Sequence, residues 1–255
     1  MAIGFGVEGA RYEREVKKVL RSLTAKTDVK VTPDGTSAFN NSAGDLQIKF
    51  HNMKIDIEVK MSSRAQMGGS AINYMDGMFY FPPSANETLD AEAKDLIMQR
   101  WDQLEGPLEK FLHFLRKQEP KGYHEQKAMG LPLRCSIEAW KEAQTKGYLR
   151  PLNLNVSYSA SFIHKYYATK KIDYMQIGKA GLFYLQKNPL NLPIPQLDGN
   201  IDIELRLARG GPAWNKEYSI ETVGANVRAQ ARLKTTNKSP YSLDNPDNVL
   251  ALFNK

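Results

Sequence analysis

The chain reads as a mixed α/β protein, and two periodicities say so. Apolar residues recur at helical spacing from Ala10 to Leu23 and then alternate at a spacing of two through 44–61. Helical spacing returns between 88 and 146, and strand-like alternation between 173 and 207. A chain of 255 residues can bury a sizeable core as one large domain or two small ones.

In the opening helix, Tyr12, Val16, Val19, Leu20 and Leu23 form one apolar stripe, while Arg14, Lys17, Lys18 and Arg21 cover the remaining surface. Glu13 sits at the stripe's edge, roughly 75° from its centre at about 100° per residue. A carboxylate there can lean over a sheet packed beneath the helix.

The stretch 44–61 reads as a hairpin. Apolar residues at 46, 48 and 50, and again at 53, 55, 57, 59 and 61, alternate with polar ones around a two-residue link at His51-Asn52. That link pairs Phe50 with Met53, Ile48 with Ile55, Leu46 with Ile57 and Asp45 with Glu58. Two carboxylates then face each other with Cβ atoms roughly 5 Å apart, and they repel unless positive charge lies between them. A divalent cation suits the gap, and Lys60 projects from the same face. Leu46, Ile48, Ile55, Ile57 and Val59 point the other way, into a core. Two acidic oxygens and the Val59 carbonyl can hold Mg²⁺, which is bound by few carboxylates and keeps several waters. The plain alternative is an amphipathic hairpin with a solvated charged face.

Asp45 followed by Glu58-x-Lys60 resembles the PD-(D/E)xK nuclease superfamily, with Gly44 where proline often precedes the Asp. Upstream, Gly9-Ala10-Arg11-Tyr12-Glu13-Arg14 is similar to the Gly-x-x-x-Glu-Arg helix of archaeal Holliday-junction resolvases, in which the glutamate completes the metal site. The resemblance spans residues 9–66, about a quarter of the chain. It implies a restriction-endonuclease-like mixed central β-sheet flanked by helices, with a helical insertion. It also implies an Mg²⁺-dependent DNA endonuclease, with Mn²⁺ able to substitute. In it Asp45, Glu58 and the Val59 carbonyl bind metal, Lys60 orients or activates water, and Glu13 supports the site. Gln66 answers to the polar residue that some members carry soon after the lysine. Phage-type or recombination-related DNA processing fits this resemblance. Sequence-specific restriction or homing cleavage, RNA cleavage, and DNA binding on a nuclease-like fold without catalysis are the other readings. Symmetric double-strand cutting requires a homodimer or sequential nicks.

Residues 27–43 contain Asp34-Gly35 and a Ser/Asn-rich loop, and 62–66 are expected to begin a helix before Gly68-Gly69. Pro82-Pro83 closes this part. Helices are expected at 88–104, at 108–117 after Gly106-Pro107, and at 136–146, which divides the chain into a nuclease-core part (1–85), a helical insertion (86–150) and a mixed C-terminal part (151–255). The aromatic and basic run 162–167 offers either base stacking or core tyrosines among solvated lysines. A strand pair is expected in 173–185. Residues 201–207 copy the hairpin's alternation but end in Glu-x-Arg, and arginine suits phosphate clamping better than water activation. The basic stretch 226–238 can follow a phosphate backbone. Arg14, Lys17, Arg64, Arg228, Arg232 and Lys234 are the candidate DNA contacts, and 249–253 are apolar enough to dock on the body.

The composition, 42% hydrophobic and 25% charged, is that of an ordinary globular protein. A net charge of +7 and a pI of about 9.3 favour a polyanionic partner. One cysteine, Cys135, excludes an internal disulfide and a thiolate zinc site and fits a reducing compartment. No apolar run approaches the roughly 20 residues of a membrane span, and the N-terminus has no signal-peptide core. The expected location is the cytoplasm, the host cell's if the source is viral.

Overall fold

A computed structural model describes residues 5–32, 44–75, 78–83, 85, 89–117, 123–124, 133–149, 152–216 and 219–254. The Ser/Asn-rich loop and Asp34-Gly35 lie outside them. Among the described residues the protein is mixed α/β, with six helices and two sheets. In chain order the elements are α1 (Phe5–Ser22), β1 (Val29–Val31), β2 (Leu46–Phe50), β3 (Met53–Lys60), β4 (Gln66–Met75), β5 (Met78–Tyr80), α2 (Ala91–Met98) and α3 (Trp101–Arg116). Then come β6 (Tyr123–His124), β7 (Leu133–Ser136), α4 (Ile137–Thr145), β8 (Leu152–Ser159), α5 (Ser161–Thr169), β9 (Tyr174–Ile177), β10 (Gly181–Tyr184), β11 (Gly199–Asn215), β12 (Ile220–Thr236) and α6 (Pro246–Phe253). They fall into two compact units, Met1–Gly68 with Ser159–Ile201 and Arg232–Lys255, and Gly69–Tyr158 with Asp202–Ala231.

The first unit is built on a five-stranded sheet in the order β1-β2-β3-β9-β10. Its pairings are antiparallel except β3 with β9, which is parallel. The apolar stripe of α1 explains its seat: Tyr12, Val16, Leu20 and Leu23 are buried in one cluster with Leu46, Ile48, Ile55, Ile57 and Val59. Val249, Leu252 and Phe253 of α6 join that cluster, so the apolar C-terminus docks as its composition predicts. The helix starts earlier than its stripe, at Phe5 rather than Ala10. The strand β1 is new, three residues being too few for periodicity to announce.

One local expectation is corrected in this unit. Residues 62–66 do not open a helix. Ala65 N–H bonds the Ser62 carbonyl to close a single turn, and β4 begins at Gln66, with Gly68 at φ 135°, which an α-helix does not admit. Met53 stands at the tip of the hairpin and is 41% exposed.

In the second unit, α2 starts at Asp90, whose carboxylate caps Ala93 N–H and accepts the Tyr158 hydroxyl. The expected break at Gly106-Pro107 is not there; it falls at Gln99-Arg100, and α3 runs through the pair. Burial of Leu108, Phe111, Leu112 and Leu115 outweighs the backbone bond that proline removes. Ser136 caps α4 as its position suggests. Cys135 on β7 is 1% exposed, and burial pushes its thiol up to about 12. No helix among the described residues is long and apolar enough to cross a membrane.

Candidate active site

The hairpin register is the one the two-residue link dictates: Phe50 opposite Met53, Ile48 opposite Ile55, Leu46 opposite Ile57. His51 supplies the turn at φ 50°. With Ile55, Ile57 and Val59 buried below, strand alternation sends Glu58 and Lys60 to the opposite face.

The ladder stops at Leu46, and Asp45 takes over with its side chain. Its Oδ2 accepts the Val59 N–H at 2.9 Å, in place of the backbone bond a longer strand would make. In an extended strand the N–H and C=O of one residue leave on the same side, so the Val59 carbonyl also points past the end of β2, toward the Asp45 edge. Gly44 has a definite reason here. A Cβ on it would lie 2.9 Å from the Ile57 carbonyl oxygen and 3.0 Å from the Ile57 nitrogen, so neither proline nor any other side chain fits without moving β3.

Glu58 is 7% exposed and is held twice through one oxygen. Lys60 Nζ lies 2.5 Å from Glu58 Oε1, and the Tyr167 hydroxyl donates to the same atom at 3.0 Å. Tyr167 comes from α5, which carries Phe162 and Ile163 buried beside it. Its phenol is pushed well above its ordinary value by burial first and then by the Glu58 charge, so it remains a donor. Tyr166, in edge-to-face contact with Tyr167 at 5.0 Å, adds to the field at Lys60. Burial opposes the Lys60 charge, but Glu58 and Asp45 more than offset it and hold the ammonium above its usual value. Asp45 is raised by burial first and then by Glu58, with Lys60 and the Val59 N–H pulling the other way. Values raised on both Asp45 and Lys60 are what carboxylates and an ammonium sharing a buried site produce.

Glu13 on α1 belongs to the same field. Burial and then Asp45 raise its pKa, while Lys17 and Lys60 lower it. Among the described residues no three His, Cys, Asp or Glu side chains stand close enough to hold a metal ion. Glu13 is an electrostatic neighbour of Asp45 and Glu58. The remaining donors, two carboxylates and the carbonyl of Val59, are hard oxygens of the kind Mg²⁺ prefers, so the residues present fit that ion.

No protein-family model, curated protein or solved structure matches this chain.

The other residues singled out in the sequence scatter. Gln66 opens β4, exposed, and no hydrogen bond among the described residues joins it to Glu58 or Lys60. Arg64 is exposed in the turn before β4, where its carbonyl accepts Arg232 Nη1 at 2.9 Å. Arg228, Arg232 and Lys234 alternate along β12, the first two half-buried and the last exposed. Arg14 and Lys17 lie on α1, Arg14 exposed and Lys17 half-buried within the field of Glu13. The run 162–167 is mainly core: Phe162, Ile163 and Tyr167 are buried, and His164 bonds the Leu197 carbonyl. Sequence reasoning left Tyr167 among possible base-stacking aromatics and did not link it to Glu58, 109 residues away. The available signal was its place on the apolar side of a helix beside a second tyrosine, which marks burial but not a partner.

A polar network also went unread. Gln176 on β9, fully buried and opposite Val59 in the sheet, donates to the Tyr12 and Ser242 hydroxyls and accepts Leu243 N–H. Tyr12 in turn donates to Asp244 at 2.6 Å. This network ties α1 and the C-terminal segment to the strand beside the site.

Proposed function

We propose that the protein is a metal-dependent endonuclease of DNA with a restriction-endonuclease-like core, in the PD-(D/E)xK manner. The observation that carries the reading is the hairpin register, which brings Asp45 to the backbone of Val59 and puts Glu58 and Lys60 together on one face. Asp45, Glu58 and the Val59 carbonyl are the groups that would hold Mg²⁺. When bound, the ion lowers the pKa of a coordinated water and offsets charge on the phosphorane. Lys60, kept protonated by Glu58 and Asp45, acts as a fixed cation that orients the attacking water and faces the developing negative charge. Tyr167 holds Glu58, and through it Lys60, in place. Glu13 adds negative potential at the edge of the site.

The test is a cleavage panel of plasmid, four-way junction, flap and single-stranded DNA with Mg²⁺, Mn²⁺ or EDTA. The wild-type protein should cut with either metal and not with EDTA; Asp45→Ala and Lys60→Ala should bind DNA and leave it intact. Wild-type rates in either variant refute the assignment. A second reading, DNA binding without catalysis, is favoured by one observation: Glu58 Oε1 is already neutralised by Lys60 and Tyr167. Its mark is metal-independent binding with no strand scission on any of the four substrates.

A further inference from the structure

Lys60 stands where a cation is wanted. Its backbone is fixed: β3 and β9 run parallel with Lys60 opposite Ile177, and the Lys60 carbonyl accepts Gly178 N–H at 2.8 Å. Its side chain is freer, 19% exposed against 9% for that of Glu58, so the ammonium can change partners on its flexible stem while the strand stays put. In the folded chain Nζ lies 2.5 Å from Glu58 Oε1, and the Tyr167 hydroxyl donates to the same atom at 3.0 Å. Both acceptor positions of that oxygen are thereby engaged. Asp45 is engaged too, since its Oδ2 accepts Val59 N–H at 2.9 Å. The oxygens left for an ion are Glu58 Oε2, Asp45 Oδ1 and the Val59 carbonyl. An ion held through Glu58 then has the ammonium as a close neighbour, and like charges at that range repel strongly where water is scarce.

We infer that Lys60 is a built-in placeholder: in the resting protein its ammonium takes the cation position against Glu58, and a divalent ion and the ammonium exclude each other there. This rests on Asp45, Glu58 and the Val59 carbonyl being the metal ligands, as proposed, and adds the state of the site before substrate arrives. The free chain then holds Mg²⁺ only while Lys60 is turned away, and its affinity is weakened by that fraction. A phosphodiester supplies the negative charge that draws the ammonium off Glu58, and its oxygens complete the shell of the ion, so ion and substrate favour each other's binding. Lys60 leaves Glu58 for the position from which it faces the phosphate. Tyr167 remains on Glu58 and keeps that carboxylate placed.

The experiment titrates Mn²⁺ into the DNA-free protein and follows the unbound ion by electron paramagnetic resonance, comparing wild type, Lys60→Gln and Lys17→Gln. The amide of Lys60→Gln can still donate to Glu58 but carries no charge. Lys17→Gln is the control for net charge: it removes a charge felt by Asp45 and Glu13 and leaves both donors on Glu58 Oε1 in place. Lys60→Gln should bind Mn²⁺ on the order of tenfold more tightly than wild type, and Lys17→Gln should stay within about twofold of it. No gain in Lys60→Gln, or equal gains in the two variants, overturns the placeholder. If Lys60→Gln does not fold, the wild type decides alone. Its Lys60 ammonium resonance, assigned by its absence from Lys60→Arg, should move on saturation with Mg²⁺; saturation with that resonance unmoved overturns the inference equally. Neither measurement contains DNA, so the two readings fail separately. Tighter binding by Lys60→Gln without strand scission by wild type removes the nuclease assignment alone, and scission without that gain removes the placeholder alone.

Discussion

Asp45 is a carboxylate that folding would rather keep neutral. Burial and the Glu58 charge raise its pKa in the folded chain above the ordinary 3.8. The stability it contributes is therefore full below that value and is lost as the pH rises through the folded pKa. Removing the charge at constant shape reverses the loss. Asp45→Asn should raise stability by about 1 kcal/mol at pH 7 while eliminating cleavage, and the gain should vanish as melting is followed down toward pH 3.8. A variant that melts below wild type at pH 7 would show that the Val59 N–H bond dominates instead. Tyr167→Phe tests the opposite kind of residue, one that stabilises. It leaves Glu58 with Lys60 alone, and a lost hydrogen bond to a buried carboxylate costs about 1–3 kcal/mol. Denaturant unfolding should show that cost, and the Mg²⁺ needed for half-maximal cleavage should rise because Glu58 is no longer fixed; a changed melt with an unchanged metal requirement would confine Tyr167 to packing.

At the level of elements, the β2-β3 hairpin and its neighbours set the site by termination as much as by pairing. Gly44→Ala should be disproportionate for a one-methyl change. Its Cβ meets the Ile57 backbone, which cannot turn aside as a side chain can, so β2 must retreat and carry Asp45 away from Val59. Calorimetry should register a loss of about 1–3 kcal/mol, with cleavage falling further than stability. Gly178→Ala, whose Cβ would run into the Met61 carbonyl just past Lys60, should be worse. The hairpin was legible because local rules suffice for it: a two-residue link and strict alternation leave one register for Asp45, Glu58 and Lys60. The helix stripe of α1 and the strand pair β9-β10 were legible for the same reason. What could not be read depends on distant contacts. Tyr167 joins Glu58 only once α5 has packed, Gln176 gathers partners from both ends of the chain, and the helix through Pro107 continues because of what Leu108 and Phe111 bury.

In the molecule as a whole, the first unit gathers segments from the beginning, middle and end of the chain around one core. Phe253, two residues from the C-terminus, is 1% exposed and stacks edge-on against Phe50 with ring centres 5.2 Å apart. Phe253→Ala should cost about 3–5 kcal/mol in chemical denaturation, although it lies in the last helix and outside the site. An effect below 1 kcal/mol would mean that α6 merely rests on the surface.

The sealed state of Cys135 has a practical consequence for anyone who wants to watch the protein work. A thiol that is 1% exposed and titrates near 12 presents almost no thiolate at neutral pH, so maleimide dyes will pass it by. Met53→Cys, at the open tip of the hairpin, then becomes the reactive handle on an otherwise native chain, and a fluorophore there reports from the ribbon that carries Asp45 and Glu58.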